Sequence, residues 1–184
     1  MNAVRTNWQL WPGVLGDEVV ENIIRLGSDA VPQNGSIFTD NKVDNKIRSS
    51  TVRWLFDDAL RETLFRFVTE ANMNAFGINV SNYAEMQFTE YHASQGGHYD
   101  WHHDVDWNGT RAADRKLSIT VQLSDPSEYT GGDFEFGTCE TPKQDVKLKG
   151  TVLVFPSYLD HRVLPVKSGV RKSLVAWFHG PRWR

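Results

Sequence analysis

Two histidines and one aspartate in the second half of the chain have the residue types and spacing of a metal site. His102 and Asp104 are separated by one residue, and alternate residues of a β-strand point to the same face. His161 follows a short apolar run and a Pro-Ser turn, so the end of another strand can bring it to the same ion. Two imidazoles and one carboxylate on one face of a metal leave its other positions open, which is typical of non-haem iron(II) chemistry.

These three residues by themselves do not settle the metal. A lone His-x-Asp pair is common, and His98 with Asp100 forms a second one nearby. Zinc also accepts two histidines and one carboxylate. A hydrogen-bonded surface loop, a zinc site and an iron site therefore all remain open at this point.

An arginine downstream of the cluster could hold a carboxylate. Arg171 lies ten residues after His161, and Ser173 follows two residues later. If the chain turns over residues 163–166 and Arg171 begins the returning strand, Arg171 and Ser173 share a face. A guanidinium fork with a nearby hydroxyl suits a carboxylate held by two hydrogen bonds. The pattern therefore predicts a ligand that chelates the metal at one end and carries a carboxylate at the other.

An ordered series of short motifs runs through the same region. The motifs are Tyr99-x-x-His102-x-Asp104, Arg115-x-x-Ser118, Gly131-Gly132-x-Phe134, His161-x-Val163-x-Pro165-Val166 and Arg171-x-Ser173, preceded by Ile47-Arg48 and Val52-Arg53-Trp54-Leu55. This series resembles the iron(II)- and 2-oxoglutarate-dependent oxygenases, in particular their prolyl 4-hydroxylase-like branch. The resemblance covers residues 46–179, and the order of the motifs is far more specific than any one of them.

The resemblance implies a role for each matching residue. His102, Asp104 and His161 would bind iron(II), and Arg171 would pair with the far carboxylate of 2-oxoglutarate. Tyr91 would hydrogen-bond the same co-substrate, with Ser173 and Thr120 as further candidates for that pocket. The implied reaction consumes O2, with ascorbate as an optional reductant, and hydroxylates a C–H bond with release of succinate and CO2. The retained carboxylate of Asp104 favours hydroxylation over halogenation.

The same resemblance favours a prolyl residue in a peptide or protein as the substrate. The candidate substrate contacts are Arg53, Trp54, Tyr99, Trp101 and Trp177, with the polar segment 33–45 as a loop that could fold over the substrate. A free amino acid or a small metabolite is the alternative substrate. A nucleobase is disfavoured, because Trp177 stands where repair enzymes of this superfamily carry a second arginine. A non-catalytic, cupin-like binding barrel and a zinc hydrolase are the alternatives of another class, and neither needs Arg171.

Hydrophobic periodicity predicts the elements that must position these residues. Helices are expected over 17–30 and 57–75, and strands over 46–55, 83–91, 117–123, 133–136, 146–148, 151–155 and 174–178. Helices followed by many short strands indicate an antiparallel sandwich or barrel. The resemblance narrows this to a mainly β fold with flanking helices, a double-stranded β-helix of the jelly-roll or cupin-like type with the N-terminal helices packed outside. We expect one domain over 1–184, with helical support over about 1–78 and the β-core over about 79–180.

Composition excludes several classes of protein. Hydrophobic residues make up 40% of the 184 residues, as in ordinary globular domains, and the net charge of −3 disfavours a nucleic-acid partner. No apolar run approaches the roughly 20 residues of a membrane helix, so no membrane partner is expected. Cys139 is the only cysteine, which rules out a disulfide framework and a thiolate zinc cluster. With no secretory signal recognised, the expected location is the cytoplasm.

Overall fold

The computed structural model describes residues 6–36, 43–142 and 145–184. Two α-helices lie in the first half, α1 (Asp17–Asp29) and α2 (Asp58–Ala71), and α2 continues into a π-helical turn at Asn72–Phe76. The strands within these ranges are β1 (Gln9–Trp11), β2 (Gln33–Asn34), β3 (Arg48–Ser49), β4 (Thr51–Leu55), β5 (Ala84–His92), β6 (His98–His102), β7 (Ala113–Gln122), β8 (Tyr129–Gly131), β9 (Phe134–Phe136), β10 (Val152–Pro156), β11 (His161–Val163) and β12 (Val166–Pro181). Within the same ranges, no helix combines the length and apolar character needed to cross a bilayer.

The strands form two antiparallel sheets that enclose the site. The large sheet has the order β1-β10-β7-β12-β5-β4-β2, with β8 paired to β12, and the small sheet has the order β3-β6-β11-β9. Apolar side chains such as Phe134 and Phe155 fill the space between the sheets. The opposite face of the large sheet, with Phe88 and Ile119, packs against Leu64 of α2 in a second core. This architecture confirms the predicted double-stranded β-helix with helices outside.

The helices form where the sequence pattern predicts them. The Asp57 carboxylate caps α2 by accepting a hydrogen bond from the Leu60 backbone N–H at 2.7 Å. Leu60, Leu64 and Val68 recur every four residues and are buried against the large sheet. In α1 the buried face comprises Val20, Ile23 and Gly27, whereas Val19, predicted on the same stripe, is 37% exposed. The contact face of α1 is therefore narrower than its apolar sequence suggests.

Gly27 allows α1 to approach the large sheet closely. A Cβ atom on Gly27 would overlap the aromatic ring of Phe88 on β5. We expect Gly27→Ala to lower the free energy of unfolding by about 1–3 kcal/mol through overpacking, although alanine favours a helix by about 1 kcal/mol. Urea denaturation measures the change. Ser28→Ala, at the next and exposed position of α1, is the control, and equal stability of Gly27→Ala and the parent would contradict the predicted clash.

Strand β7 differs from its sequence-based prediction in burial. Its alternating pattern predicts a half-buried strand, but both faces are buried, with Ser118 at 0%, Thr120 at 9% and Gln122 at 3% exposure. The prediction is wrong because the polar face of β7 looks into the space between the sheets rather than into solvent. Its apolar face packs towards the helices. A polar stripe facing an enclosed interior is the structural basis of the site.

Three other segments also depart from expectation. The predicted strand at 146–148 is a 3₁₀ turn over Asp145–Lys147, which the Thr151 hydroxyl closes by donating to the Asp145 carbonyl at 2.8 Å. The predicted strand at 46–55 is divided at Ser50 into β3 and β4, which join different sheets. Within the predicted loop 33–45, residues 33–34 form β2, and residues 37–42 lie outside the described residues.

The first 78 residues contribute strands as well as helices. β1, β2 and β4 extend the large sheet, and β3 begins the small one. The division into helical support before residue 78 and β-core after it is therefore wrong for these four strands. β1, β3 and β4 pair with edges that the core strands would otherwise leave open, and β2 pairs in turn with β4. A single domain over 1–184 stays a prediction.

Candidate metal and co-substrate site

His102, Asp104 and His161 converge between the two sheets. His102 ends β6 and lies directly opposite His161, the first residue of β11. Asp104 follows the end of β6 in a bend, where its backbone N–H donates to the Ser157 carbonyl at 2.8 Å. The assumption that one strand carries both His102 and Asp104 is thus wrong, but the bend brings the three side chains together. Their ligand atoms all lie within 4.8 Å of one another.

Backbone carbonyls orient both imidazoles towards this centre. His102 Nδ1 lies 2.7 Å from the Asp100 carbonyl oxygen, and His161 Nδ1 lies 2.8 Å from the Leu159 carbonyl oxygen. Because a carbonyl only accepts, each Nδ1 carries a proton, and Nε2 is the ring nitrogen available to a metal. His161 Nε2 and His102 Nε2 lie 3.7 and 3.9 Å from the Asp104 carboxylate oxygens. The donor set fits one divalent ion.

The surroundings also favour the protonation states that bind a metal. Burial, together with the neighbouring His161, holds the pKa of His102 well below its ordinary value, so this imidazole is neutral. Burial by itself would raise the pKa of Asp104, but His161, His102 and Arg115 together with the Ser118 hydrogen bond lower it. The Ser118 hydroxyl donates to Asp104 Oδ2 at 2.6 Å. A neutral imidazole and an ionised carboxylate are the forms that coordinate metal ions.

A cavity beside these residues contains the predicted carboxylate-binding group. Arg171, Ser173 and Trp177 alternate along β12 and line the cavity, with Tyr91 opposite Arg171 on β5 and Thr120 on β7. Arg171 is 5% exposed, and its guanidinium carbon lies 5.7 Å from the centre of the Tyr91 ring.

Four polar side chains of this pocket make no ion pair or hydrogen bond to the described residues. Across the described ranges, no carboxylate pairs with Arg171. The hydroxyls of Tyr91, Thr120 and Ser173 likewise make no hydrogen bond to a described residue. A buried guanidinium without a counter-charge is costly, whereas a bound carboxylate would compensate it. The pocket fits a ligand with a carboxylate at the end remote from the metal.

Comparison with known sequences identifies the family. A family model described as the 2OG-Fe(II) oxygenase superfamily matches residues 86–179, the segment that holds all of these side chains. The chain belongs to the 2OG-Fe(II) oxygenase superfamily.

One relative of this oxygenase matches over most of the chain, and other relatives match over about half of it or less. It is 29% identical over 169 residues to a PKHD-type hydroxylase of Synechococcus sp. strain CC9311, covering 89% of this chain and 74% of that protein. Further PKHD-type hydroxylases match over only 31% to 42% of their own length. The fold is similar to a Pseudomonas putida prolyl-4-hydroxylase, with a TM-score of 0.71, 21% identity, and coverage of 98% of this chain and 95% of that chain. It is also similar to a Trichoplax adhaerens prolyl hydroxylase in complex with a hypoxia inducible factor peptide fragment, with a TM-score of 0.74, 18% identity, and coverage of 95% and 84%.

The structure separates the five predicted substrate contacts into two groups. Tyr99 and Trp177 line the cavity that contains the metal ligands and Arg171, called the oxygenase cavity below. Tyr99 stacks on His102 with 3.4 Å between ring centres. Arg53, Trp54 and Trp101 do not line it. Arg53 lies opposite Phe88, on the face of the sheet that looks towards the helices, because side chains alternate along β4. Its guanidinium pairs there with Glu90 at 2.5 Å.

Trp54 and Trp101 lie outside the cavity for different reasons. The Trp54 ring lies 6.1 Å from the Trp177 ring and lines a neighbouring groove. Trp101 is 43% exposed, and the Arg162 guanidinium lies 4.4 Å from its ring centre. Closure of the 33–45 segment over a substrate stays a prediction, because residues 37–42 are outside the described residues.

Sequence reasoning did not assign roles to Arg48, Gln87 and Ser118. Arg48 and Gln87 line the oxygenase cavity, and Ser118 holds the Asp104 carboxylate. The missed signal is strand alternation. Gln87 lies on the same face of β5 as Tyr91, and Ser118 lies on the same face of β7 as Thr120. Polar residues on the same strand face as predicted site residues are therefore candidates for lining the site.

Gly132 allows Arg171 to occupy its position. A Cβ atom on Gly132 would lie 3.0 Å from Arg171 Cδ and 3.0 Å from Val166 Cγ2, and its φ is +60°. We expect Gly132→Ala to displace Arg171 and weaken 2-oxoglutarate binding by about tenfold, the loss of roughly one hydrogen bond to a charged group. Isothermal titration under anaerobic conditions measures this affinity.

Gly96→Ala is the matched control for this prediction. Gly96 has nearly the same backbone conformation, with φ +61°, but no atom within 4 Å of the added Cβ. Both variants carry the same backbone strain, about 1–2 kcal/mol, so only the contact with Arg171 differs. Equal affinities of the two variants for 2-oxoglutarate would contradict the proposed role of Gly132.

Proposed function

We propose that this oxygenase uses iron(II), 2-oxoglutarate and O2 to hydroxylate a prolyl residue in a peptide or protein, with release of succinate and CO2. One observation carries the proposal: a buried Arg171, with no acidic partner among the described residues, shares a cavity with His102, Asp104 and His161. A ligand that chelates a metal and ends in a carboxylate satisfies both halves of this cavity.

Each residue has a defined task in this proposal. His102 and His161 present Nε2 to the iron, and Asp104 contributes a carboxylate that Ser118 orients. Arg171 binds the distal carboxylate of 2-oxoglutarate, with the hydroxyls of Tyr91, Thr120 and Ser173 as additional donors. When bound, iron(II) would activate O2, the oxidant, for C–H hydroxylation, and 2-oxoglutarate would supply two electrons by its oxidation to succinate and CO2.

Apolar side chains protect this chemistry from water. Phe134, Phe155, Val163 and Val175 line the cavity around the ligands. The Phe155 ring lies 4.9 Å from the His161 ring and fixes one side of it. Such a dry lining limits side reactions of the bound co-substrate.

The prolyl substrate is supported by the relatives. The PKHD-type hydroxylases are similar in sequence, and two prolyl hydroxylases are similar in fold, one of them in complex with a peptide fragment. A zinc hydrolase is disfavoured by the cavity itself. It would need a general base beside the metal-bound water, and the only carboxylate and the only histidines among the described lining residues are the three metal ligands.

An anaerobic titration tests the proposed cofactor chemistry. Iron(II) and 2-oxoglutarate, added to purified apo-protein without oxygen, should produce the weak visible charge-transfer absorption of an iron(II)–2-oxoacid complex. Admission of O2 with proline-containing peptides should then yield succinate and a peptide heavier by one oxygen atom. Absence of the absorption in folded, iron-loaded protein would reject the oxygenase mechanism and favour a zinc enzyme or a binding barrel.

A further inference from the structure

A second buried arginine lines the same cavity. Arg48 is 6% exposed and stands where the two sheets meet, since β3 pairs with β6 of the small sheet while the chain continues into β4 of the large one. Its guanidinium carbon lies 4.5 Å from the centre of the Tyr99 ring. Tyr99 in turn stacks on His102. Arg48 is therefore one aromatic ring away from a proposed iron ligand.

The hydrogen bonds of Arg48 position it without neutralising it. Its Nε donates to Ser50 Oγ at 2.9 Å, one Nη to the Ser36 carbonyl at 3.0 Å, and the other Nη to Gln87 Oε1 at 2.7 Å. All three acceptors are uncharged. A guanidinium has five N–H groups, so two remain for another partner.

Arg48 also differs from two largely buried arginines of the large sheet, Arg115 and Arg53, which each have a carboxylate partner. Arg115 pairs with Glu85 at 2.6 Å, and Arg53 pairs with Glu90. Arg48 has no such carboxylate within residues 6–36, 43–142 and 145–184. Since a buried charge is usually retained only with a compensating partner, Arg48 fits a ligand that supplies one.

The ligands of the proposed function do not supply this charge. Iron(II) and Asp104 together carry a net charge of +1, and Arg171 with Arg48 adds +2. Dianionic 2-oxoglutarate brings −2, which leaves one positive charge in a cavity with no other acidic lining residue among those described. A further anionic group in the substrate would neutralise it.

Gln87 provides a second donor beside Arg48. Because Arg48 only donates, the Gln87 oxygen must face it, and Thr89 Oγ1 lies 3.4 Å from the same oxygen. The amide NH₂ of Gln87 is then left to donate, and Gln87 lines the cavity. A guanidinium and an amide NH₂ side by side match the two oxygens of a carboxylate.

We propose that Arg48 and Gln87 bind a carboxylate of the prolyl substrate, so that this oxygenase selects prolines with an acidic group beside the reacting ring. The inference rests on the proposed function and deepens it to a substrate class. The carboxylate comes either from an acidic side chain adjacent to the proline or from the free C-terminus of a chain that ends in proline.

Four peptides distinguish these sources. They are N-acetylated, and their sequences are Ala-Ala-Pro-Ala-Ala-amide, Ala-Ala-Pro-Glu-Ala-amide, Ala-Glu-Pro-Ala-Ala-amide and Ala-Ala-Pro with a free carboxylate. Competition against a fluorescein-labelled peptide, measured by anisotropy on the anaerobic iron(II)–2-oxoglutarate complex, gives affinities without turnover. We expect at least one acidic peptide to bind about 10- to 100-fold more tightly than the neutral one, as for a charge-assisted hydrogen bond. Equal binding of all four peptides overturns the proposal.

Variants at Arg48 connect the preference to this side chain. Arg48→Gln should abolish the difference between acidic and neutral peptides, and Arg48→Lys should restore part of it. Arg53→Gln, in the adjoining strand but on the other face of the sheet, should leave the difference unchanged. An acidic preference that persists in Arg48→Gln overturns the proposal.

The charge-transfer absorption separates this inference from the proposed function. If the parent protein lacks the absorption, the proposed function itself fails. If the parent and Arg48→Gln both show it with similar affinity for 2-oxoglutarate, Arg48 does not serve the co-substrate, as the proposal requires. Selective loss of 2-oxoglutarate binding in Arg48→Gln, with Arg53→Gln unaffected, assigns Arg48 to the co-substrate and overturns the substrate role.

Discussion

Replacing His161 with alanine is expected to remove the charge-transfer absorption of the iron(II)–2-oxoglutarate complex and to lower hydroxylation by more than about 100-fold. His161 offers one of three ligand atoms in a set whose members all lie within 4.8 Å of one another. Losing even a hydrogen-bonding partner of a metal ligand costs about 10- to 100-fold in affinity or activity, and losing the ligand itself costs more. Anaerobic absorption spectra and succinate formation measure the two effects.

His98→Gln is the matched control for His161→Ala. His98 opens β6, the strand that ends at His102, but its Nδ1 lies 2.7 Å from the Gly96 carbonyl and its Nε2 lies 3.1 Å from the Lys46 carbonyl. Its ring is thus held by backbone oxygens, away from the ligand set. An iron complex that survives in His161→Ala, or is lost equally in His98→Gln, would contradict the assigned ligands.

The second large effect is expected at Arg171. Arg171→Gln should weaken 2-oxoglutarate binding by about 100- to 5000-fold, because removing one partner of a buried ion pair costs about 3–5 kcal/mol. Binding of 2-oxobutyrate, which lacks the distal carboxylate, should change little. The difference between the two 2-oxoacids in anaerobic titrations therefore isolates the contact that Arg171 makes. Equal weakening of both ligands would show that Arg171 acts on the cavity as a whole.

Protein stability provides a further control on Arg171. Since no carboxylate among the described residues compensates its buried charge, Arg171→Gln without ligand should be at least as stable as the parent. Arg162→Gln, which breaks an accessible pair with Glu135 outside the cavity, should leave 2-oxoglutarate affinity unchanged. Thermal unfolding with and without 2-oxoglutarate measures both expectations. Marked destabilisation of ligand-free Arg171→Gln would indicate a structural role.

The sequence by itself determined the chemistry-bearing residues and the class of fold. His102, Asp104, His161 and Arg171 are few, polar and ordered along the chain in a way that the family resemblance could recognise. The helical stripe of α2 and the alternation in β7 are local patterns with periods of 3.6 and two, so they were readable without a structure. Local periodicity fixes the type of an element because it depends only on neighbouring residues.

Only the tertiary structure decided which face of each strand the site occupies. The polar face of β7 could have pointed to solvent, and the second sheet turns it into an enclosed lining. The sequence pattern suggested Arg53 as a substrate contact and assigned no role to Arg48, but strand pairing places Arg48 in the cavity and Arg53 beside Glu90 on the opposite face. Burial and the presence of a counter-charge depend on residues distant in sequence. The sequence alone therefore could not show that Arg48 is buried without a carboxylate partner among the described residues; the packing of the two sheets shows it.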